Sequence, residues 1–330
     1  MATLDALPPQ TEKPIQIEET EPIVAYLSPA RLYFAVAKTG ADKAREPWWK
    51  VFWLGILAGA YLGLGATFYL YVAGQLPTIE KSDPGLQHLV LGAFGLPMGL
   101  GLIVISGAEL YTANCAYLAA AVFEGKATAW SMVYHLFFCF WGNLAGSLLL
   151  VGFVLGTKLF EAAPADTTAL IYTVEYVEIK ATAGFRHVLA KAFLCNWLVC
   201  LACYQSAAAQ DVFGKLASIF FPVMAFVAIG FDHLVANMFI IPFGMCLGAP
   251  ITVGHYIVYS MIPTIIGNTA SATVMISFSY AMCYGTLADT IRIKLQKAGL
   301  PMKEQNEKGL PSSFPPSVSA AKDDSAHNRI

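Results

Sequence analysis

Six stretches of this chain, near residues 51–73, 86–121, 129–157, 184–207, 217–245 and 255–287, stay apolar over the roughly 20 residues that an α-helix needs to cross a bilayer. No other feature restricts the fold as much, because a segment in lipid must satisfy its own backbone hydrogen bonds, and only helices and closed barrels do so. Composition agrees: 57% of the residues are hydrophobic and 13% charged, against about 25% charged in a soluble domain. The net charge of −2 gives no global attraction to nucleic acid, so the expected surroundings are membrane lipid.

Polar segments bracket the apolar body. Residues 1–48 contain the acidic run EKPIQIEETEP and are expected to form a cytosolic, partly disordered tail. Residues 291–330, rich in Ser, Pro and charge, are expected to form a disordered cytosolic tail, which leaves 49–290 as the six-helix membrane domain. The N-terminus lacks a basic region followed by an apolar stretch, and Asp5, Glu12, Glu18, Glu19 and Glu21 argue against an acid-poor transit peptide. The plasma membrane is therefore favoured over an organelle membrane. Eleven Lys and Arg fall near span ends on the side of the termini, Arg31, Lys38, Lys43, Arg45, Lys50, Lys126, Lys215, Arg292, Lys294, Lys297 and Lys303, against about five on the other, Lys81, Lys158, Lys180, Arg186 and Lys191. Both termini are thus expected in the cytosol, which an even number of spans requires. All seven cysteines lie in apolar segments without metal-ligand spacing and read as small core residues. Trp48, Trp49, Trp53 and Trp130 suit an interfacial belt.

The second and fifth spans are long and carry Gly, Pro and an acid in their middles. GAELYTAN (107–114) and GFDHLVAN (230–237) share Gly, an acid two residues on, and Ala-Asn at equal offsets. In the following span of each half, WGNLAGS (141–147) resembles IGNTASA (266–272). Three spans per half means that the halves insert in opposite orientation, the architecture of channels and transporters whose broken helices meet at midplane. The fold expected is all-α, with two inverted three-helix repeats and with the second and fifth helices broken around Gly107, Glu109 and Asn114 and around Gly230, Asp232 and Asn237. Opened N–H groups at half-helix N-termini offer positive ends to an anion. Close packing of glycines explains the Gly residues alone, not the Glu109, Asp232 and His233 beside them.

GAELYTAN, LCNWLVCLA (194–202), GFDHLVANMFIIP (230–242) and IPTIIGN (262–268), in this order, resemble the signature segments of the formate/nitrite transporter family. The resemblance covers residues 28–288. It implies an aquaporin-like fold, a homopentamer with one pore per protomer, and transport of formate, nitrite, hydrosulfide, lactate or bicarbonate. By this resemblance His233 matches the central pore histidine and Thr112 the threonine on the loop interrupting the second span. Asn196 matches an asparagine near that histidine, and Lys180 a vestibule lysine that attracts the anion. Leu100, Leu110 and Phe226 match hydrophobic constriction positions, and Leu96 stands where some members carry an aromatic one. Tyr111 replaces a commoner Phe.

A bare anion in an apolar passage faces a large desolvation cost; a charge at a helix centre costs about 2.5–3.5 kcal/mol on insertion scales. A weak acid avoids this by crossing neutral, its proton coming from bulk water or from His233, whose imidazole titrates near physiological pH. His233 serves equally as a hydrogen-bond donor, and the sequence leaves both roles open. Glu109 and Asp232 are expected to cap the broken helices or hold the loops, since an exposed carboxylate repels an anion. Formate and nitrite, with protons, lead the expected substrates, and no enzyme activity, cofactor or metal is expected. An intramembrane redox enzyme with haem would need paired histidines at depth, whereas His88, His135, His187 and His255 lie near span ends. A neutral-solute channel of the aquaporin type lacks its Asn-Pro-Ala boxes here, because neither Asn114 nor Asn237 precedes Pro.

Overall fold

The computed structural model describes residues 26–161 and 164–297. The tail expectations for residues 1–25 and 298–330 lie outside the described residues. Residues 29–43 depart from the expected disorder and form helix α1 (Pro29–Lys43), started by a proline in its first turn. Its Leu32, Tyr33, Val36, Ala37, Gly40 and Ala41 recur at helical spacing and are buried, and that apolar stripe is why the segment folds.

The first half continues with α2 (Trp48–Gly74), the short α3 (Pro77–Ser82), α4 (Pro84–Phe94), α5 (Leu96–Ser106), α6 (Tyr111–Phe123) and α7 (Ala129–Thr157). The second comprises α8 (Pro164–Ala181), α9 (Phe185–Ala208), α10 (Val212–Ala228), α11 (Leu234–Cys246) and a last span, Val253–Tyr284. That last span joins α12 (Val253–His255), α13 (Ile262–Ser271) and α14 (Ser279–Tyr284) through π-helical stretches at Tyr256–Met261 and Ala272–Phe278. Among the described residues five helical stretches, Trp48–Gly74, Pro84–Ser106, Ala129–Thr157, Phe185–Ala208 and Val253–Tyr284, are long and apolar enough to cross a membrane, and α10 and α11 are shorter apolar helices in the place of the expected fifth span. The second and fifth spans are therefore interrupted where the sequence placed the breaks. A separate unit begins at residue 289; its described part, 289–297, belongs to α15 (Leu287–Lys297), so the expected tail is helical as far as 297.

Each break turns on a glycine in the left-handed region, Gly107 at φ 73° and Gly230 at φ 72°, which a side chain would strain. The loop that follows is held by one asparagine from the next span of its own half. Asn143 accepts from Tyr111 N–H at 2.9 Å and donates to Glu109 O at 2.8 Å and to Gly55 O at 2.9 Å. Asn268 accepts from Leu234 N–H at 2.9 Å and donates to Asp232 O at 3.2 Å and to Ala192 O at 2.7 Å. Gly55 and Ala192 are each the eighth residue of their spans, so the inverted repeat extends to individual hydrogen bonds. Backbone opened at membrane depth is tolerated because a buried side chain satisfies it. Close packing lets Asn143 reach α2: a Cβ on Gly146 would lie 1.9 Å from Ile56 O.

Five cysteines, Cys115, Cys139, Cys195, Cys200 and Cys203, are buried as expected, but Cys246 and Cys283 are exposed, because they sit near helix ends and not on packed faces. Trp48, Trp49, Trp53 and Trp130 are all at least half exposed, on the surface that an interfacial belt requires.

The paired clamps make a symmetric prediction. Asn143→Ala and Asn268→Ala each delete three interhelical bonds, at about 0.6 kcal/mol per bond and up to about 1–3 kcal/mol per stranded group. Each variant is expected to lose about 2–4 kcal/mol of stability, read as a lowered thermal transition of purified protein in detergent. A transition equal to that of the parent in either variant would show that its loop does not depend on the clamp.

Candidate functional site

The two breaks bring the N-termini of α6 and α11 face to face. Thr112, in the first turn of α6, and His233, the N-cap of α11, meet at 2.8 Å between Oγ1 and Nε2. Two helix N-termini thus converge on one point, and each contributes the partial positive charge of its first-turn N–H groups. His233 Nδ1 accepts from Ala236 N–H at 3.2 Å and so caps its own helix. A neutral ring then carries its hydrogen on Nε2 and donates toward Thr112, since a hydrogen on Nδ1 would oppose the Ala236 N–H. The imidazole stacks on Phe226 at 5.9 Å between ring centres.

Thr112 and His233 are both buried, as are Leu96, Leu100, Leu110 and Phe226. Leu100 and Leu110 line a cavity of 240 Å³ together with Lys43, Asn114 and Tyr117. Leu96 and Phe226 line a second cavity with His233, Lys180, Tyr176 and Asn237; it holds 10 Å³, room for about one water. Apolar side chains from α5, α10 and the first loop therefore narrow the space beside the Thr112–His233 contact. Asn196 is fully buried: its Nδ2 donates to Thr112 O at 3.2 Å and to Asn268 O at 2.7 Å, tying the two halves together.

The acids do not cap the half-helices; the N-cap residues are Leu110 and His233. Each acid instead joins an asparagine to a lysine. Glu109 accepts from Asn114 Nδ2 and pairs with Lys43 Nζ at 2.6 Å. Asp232 accepts from Asn237 Nδ2 at 3.1 Å and pairs with Lys180 Nζ at 2.7 Å, and that ammonium also donates to Phe231 O at 3.2 Å. Lys180 is thus a buried, charge-balanced group in the wall of the second cavity rather than a loop cation in solvent.

Sequence reasoning missed Lys43 as the partner of Glu109, counting it only among the basic residues near span ends. Lys43 lies five residues ahead of Trp48 and Lys180 five ahead of Phe185, each near the end of the helix preceding its half. The repeat is therefore one helix followed by three spans, α1 with the first half and α8 with the second. The equal offset was the available signal. His135 was read only as a histidine near a span end; it is 2% exposed, bonds Lys43 O through Nδ1 at 2.9 Å, and lies 3.2 Å from Glu109 Oε2.

The sequence profile of the family described as "Formate/nitrite transporter" matches residues 30–282. The uncharacterized transporter YrhG of Bacillus subtilis is 36% identical to the chain over 269 residues, covering 79% of the chain and 95% of YrhG. A probable formate transporter of Methanothermobacter thermautotrophicus is 34% identical over 275 residues, with 79% and 98% covered. Among solved structures, a pentameric formate channel with formate bound superposes with a TM-score of 0.63 at 27% identity, covering 72% of this chain and 97% of that one. With this match of sequence and of the aquaporin-like six-span fold, the chain belongs to the formate/nitrite transporter family, whose members are membrane transporters and channels and not enzymes.

Proposed function

We propose that the chain carries a small monovalent weak-acid anion, formate or nitrite, with a proton, through one pore in each protomer of a homopentamer in the plasma membrane, both termini facing the cytosol. The observation that carries this reading is the contact of Thr112 with His233 between two helix N-termini, because it joins a positive electrostatic centre to donor groups inside an apolar constriction. The formate named for several relatives and the pentamer named for the structural neighbour support the substrate and the assembly.

The passage is too apolar for a bare ion and too short of free charge to compensate one. Lys43 and Lys180 both stand beside carboxylates, so each vestibule offers ammonium N–H donors with little net charge. An arriving anion is held by those donors and by the field of the half-helices, takes a proton from bulk water, and passes Leu96, Leu100, Leu110 and Phe226 as the neutral acid. His233 acts there as a hydrogen-bond donor from Nε2, because its Nδ1 is committed to Ala236. It orients the acid or anion at the narrowest point, and Thr112 shares that task.

Uptake of labelled formate into liposomes containing the purified protein tests this. The initial rate is expected to rise as external pH falls, since the neutral fraction of the acid rises, and nitrite is expected to compete more strongly than lactate or bicarbonate. His233→Ala is expected to cut uptake by about tenfold or more, a barrier increase of about 1.4 kcal/mol or above. Absence of uptake of all four anions by folded protein would sink the proposal. A second test separates the vestibule from the fold: in Lys180→Gln with Asp232→Asn the buried pair is removed together, so the protein is expected to keep its assembly while uptake at low formate falls several-fold. Unchanged uptake in that variant would remove Lys180 from the transport path.

A further inference from the structure

The two loops are copies in their hydrogen bonds but differ in one place behind the acids. In the first half the carboxylate is fully used: Glu109 Oε1 takes Lys43 Nζ, and Oε2 takes Asn114 Nδ2 and faces His135 Nε2 at 3.2 Å. In the second, Asp232 Oδ1 takes both Lys180 Nζ and Asn237 Nδ2, while Asp232 Oδ2 has no protein partner. Asn237 Oδ1 also lacks a protein partner.

His135 stands eight residues before Asn143, and the residue eight before Asn268 is Ser260. The Ser260 hydroxyl is a third buried group without a protein hydrogen-bond partner. Asp232, Asn237 and Ser260 are each 1% exposed. Ser260 lies one turn after Tyr256, whose hydroxyl donates to Asn237 O at 3.2 Å, and two turns before Asn268, whose Nδ2 donates to Asp232 O at 3.2 Å. Ser260 holds, on the span that carries Asn268, the register position of His135, whose ring faces Glu109 in the first half, and the repeat therefore directs it toward Asp232 and Asn237. Glu to Asp removes a methylene, and His to Ser removes a ring, on the two sides of the same space.

We infer that one buried water fills this space in the second half and replaces the imidazole of the first. Its two hydrogens go to Asp232 Oδ2 and Asn237 Oδ1, and its oxygen accepts from the Ser260 hydroxyl, which gives the three bonds usual for a buried water. All three unpartnered groups are satisfied at once, which no rotation of a single side chain achieves, because two of the three atoms are pure acceptors. A cation fits less well, since the Lys180 ammonium already sits 2.7 Å from the same carboxylate. The water stands on the opposite oxygen of Asp232 from Lys180 and fixes the plane of the carboxylate that aims that lysine. Asn237 also lines the cavity that holds Lys180 and His233, so the bound water belongs to the wall of the passage.

A map of the whole protein at about 2 Å, from crystals or single particles in lipid nanodiscs, tests the assignment. One peak is expected at about 2.6–3.2 Å from Asp232 Oδ2, Asn237 Oδ1 and Ser260 Oγ. Lack of a peak where other buried waters are visible overturns it, as does a peak with five or more oxygens at about 2.3–2.5 Å, which marks a cation. In the reciprocal variant, His135→Ser, a new peak is expected against Glu109 Oε2, and its absence in a folded variant overturns the equivalence of the two sites. Should that variant fail to fold, the parent map decides alone.

Discussion

Two breaks in the backbone at membrane depth are the constraint on which this molecule is built. Lipid offers no hydrogen bonds, so each opened loop must find its donors and acceptors in the protein or the span fails. Asn143 and Asn268 meet that need with a side chain that donates and accepts at once, bridging a loop amide, a loop carbonyl and a carbonyl of the half's first span. An aliphatic residue would satisfy none of these groups, and an acid could not donate to the two carbonyls. Everything else at the centre, including the approach of Thr112 to His233, depends on the loops being held in this way.

The charges are arranged under the same constraint. Buried carboxylates in the loops would repel an anion and pay a large desolvation cost if left alone. Lys43 and Lys180 reach them from helices that precede the spans, so the acids are neutralised by groups carried on the outer elements. This makes α1 and α8 parts of the loop supports and not accessories of the surface. With the full charges paired, the dipoles of α6 and α11 are the electrostatic feature left at the centre, a field that can hold a developing or transient negative charge without trapping it.

The spans, the two breaks and the inverted repeat were legible because they depend on local composition: apolar length, glycine at a left-handed position, and asparagine at a fixed offset. The support groups were less legible. Lys43 looks like any basic residue at a membrane boundary, and its partner Glu109 is 66 residues away. The segment of α1 was hidden by the acidic run ahead of it, although Leu32, Tyr33, Val36 and Ala37 carry a helical stripe. Comparing the halves only from their first spans onward left out the preceding helices, and with them the pairing of Lys43 with Lys180. Asn196 binds backbone carbonyls of both halves, one of them that of Thr112, the partner of His233; a side-chain amide pointing at main chain leaves no mark in sequence.

The repeat fails at one structurally decisive position. The residue after the acid is Leu110 in the first half and His233 in the second, and both are the N-caps of their half-helices. Leu110 makes no side-chain cap, whereas His233 uses Nδ1 to cap its helix and is left with Nε2 facing across the pseudo-twofold axis. A leucine in place of His233 would leave the Ala236 amide without the side-chain acceptor that Nδ1 supplies. A symmetric frame therefore supports an asymmetric pair, one apolar cap and one polar cap. The polar cap is placed where the two helix fields add, and Thr112, two residues beyond Leu110, supplies the acceptor that the leucine cannot. The chemistry of the passage thus rests on this departure from a repeat that the clamping asparagines and the lysine–carboxylate pairs obey.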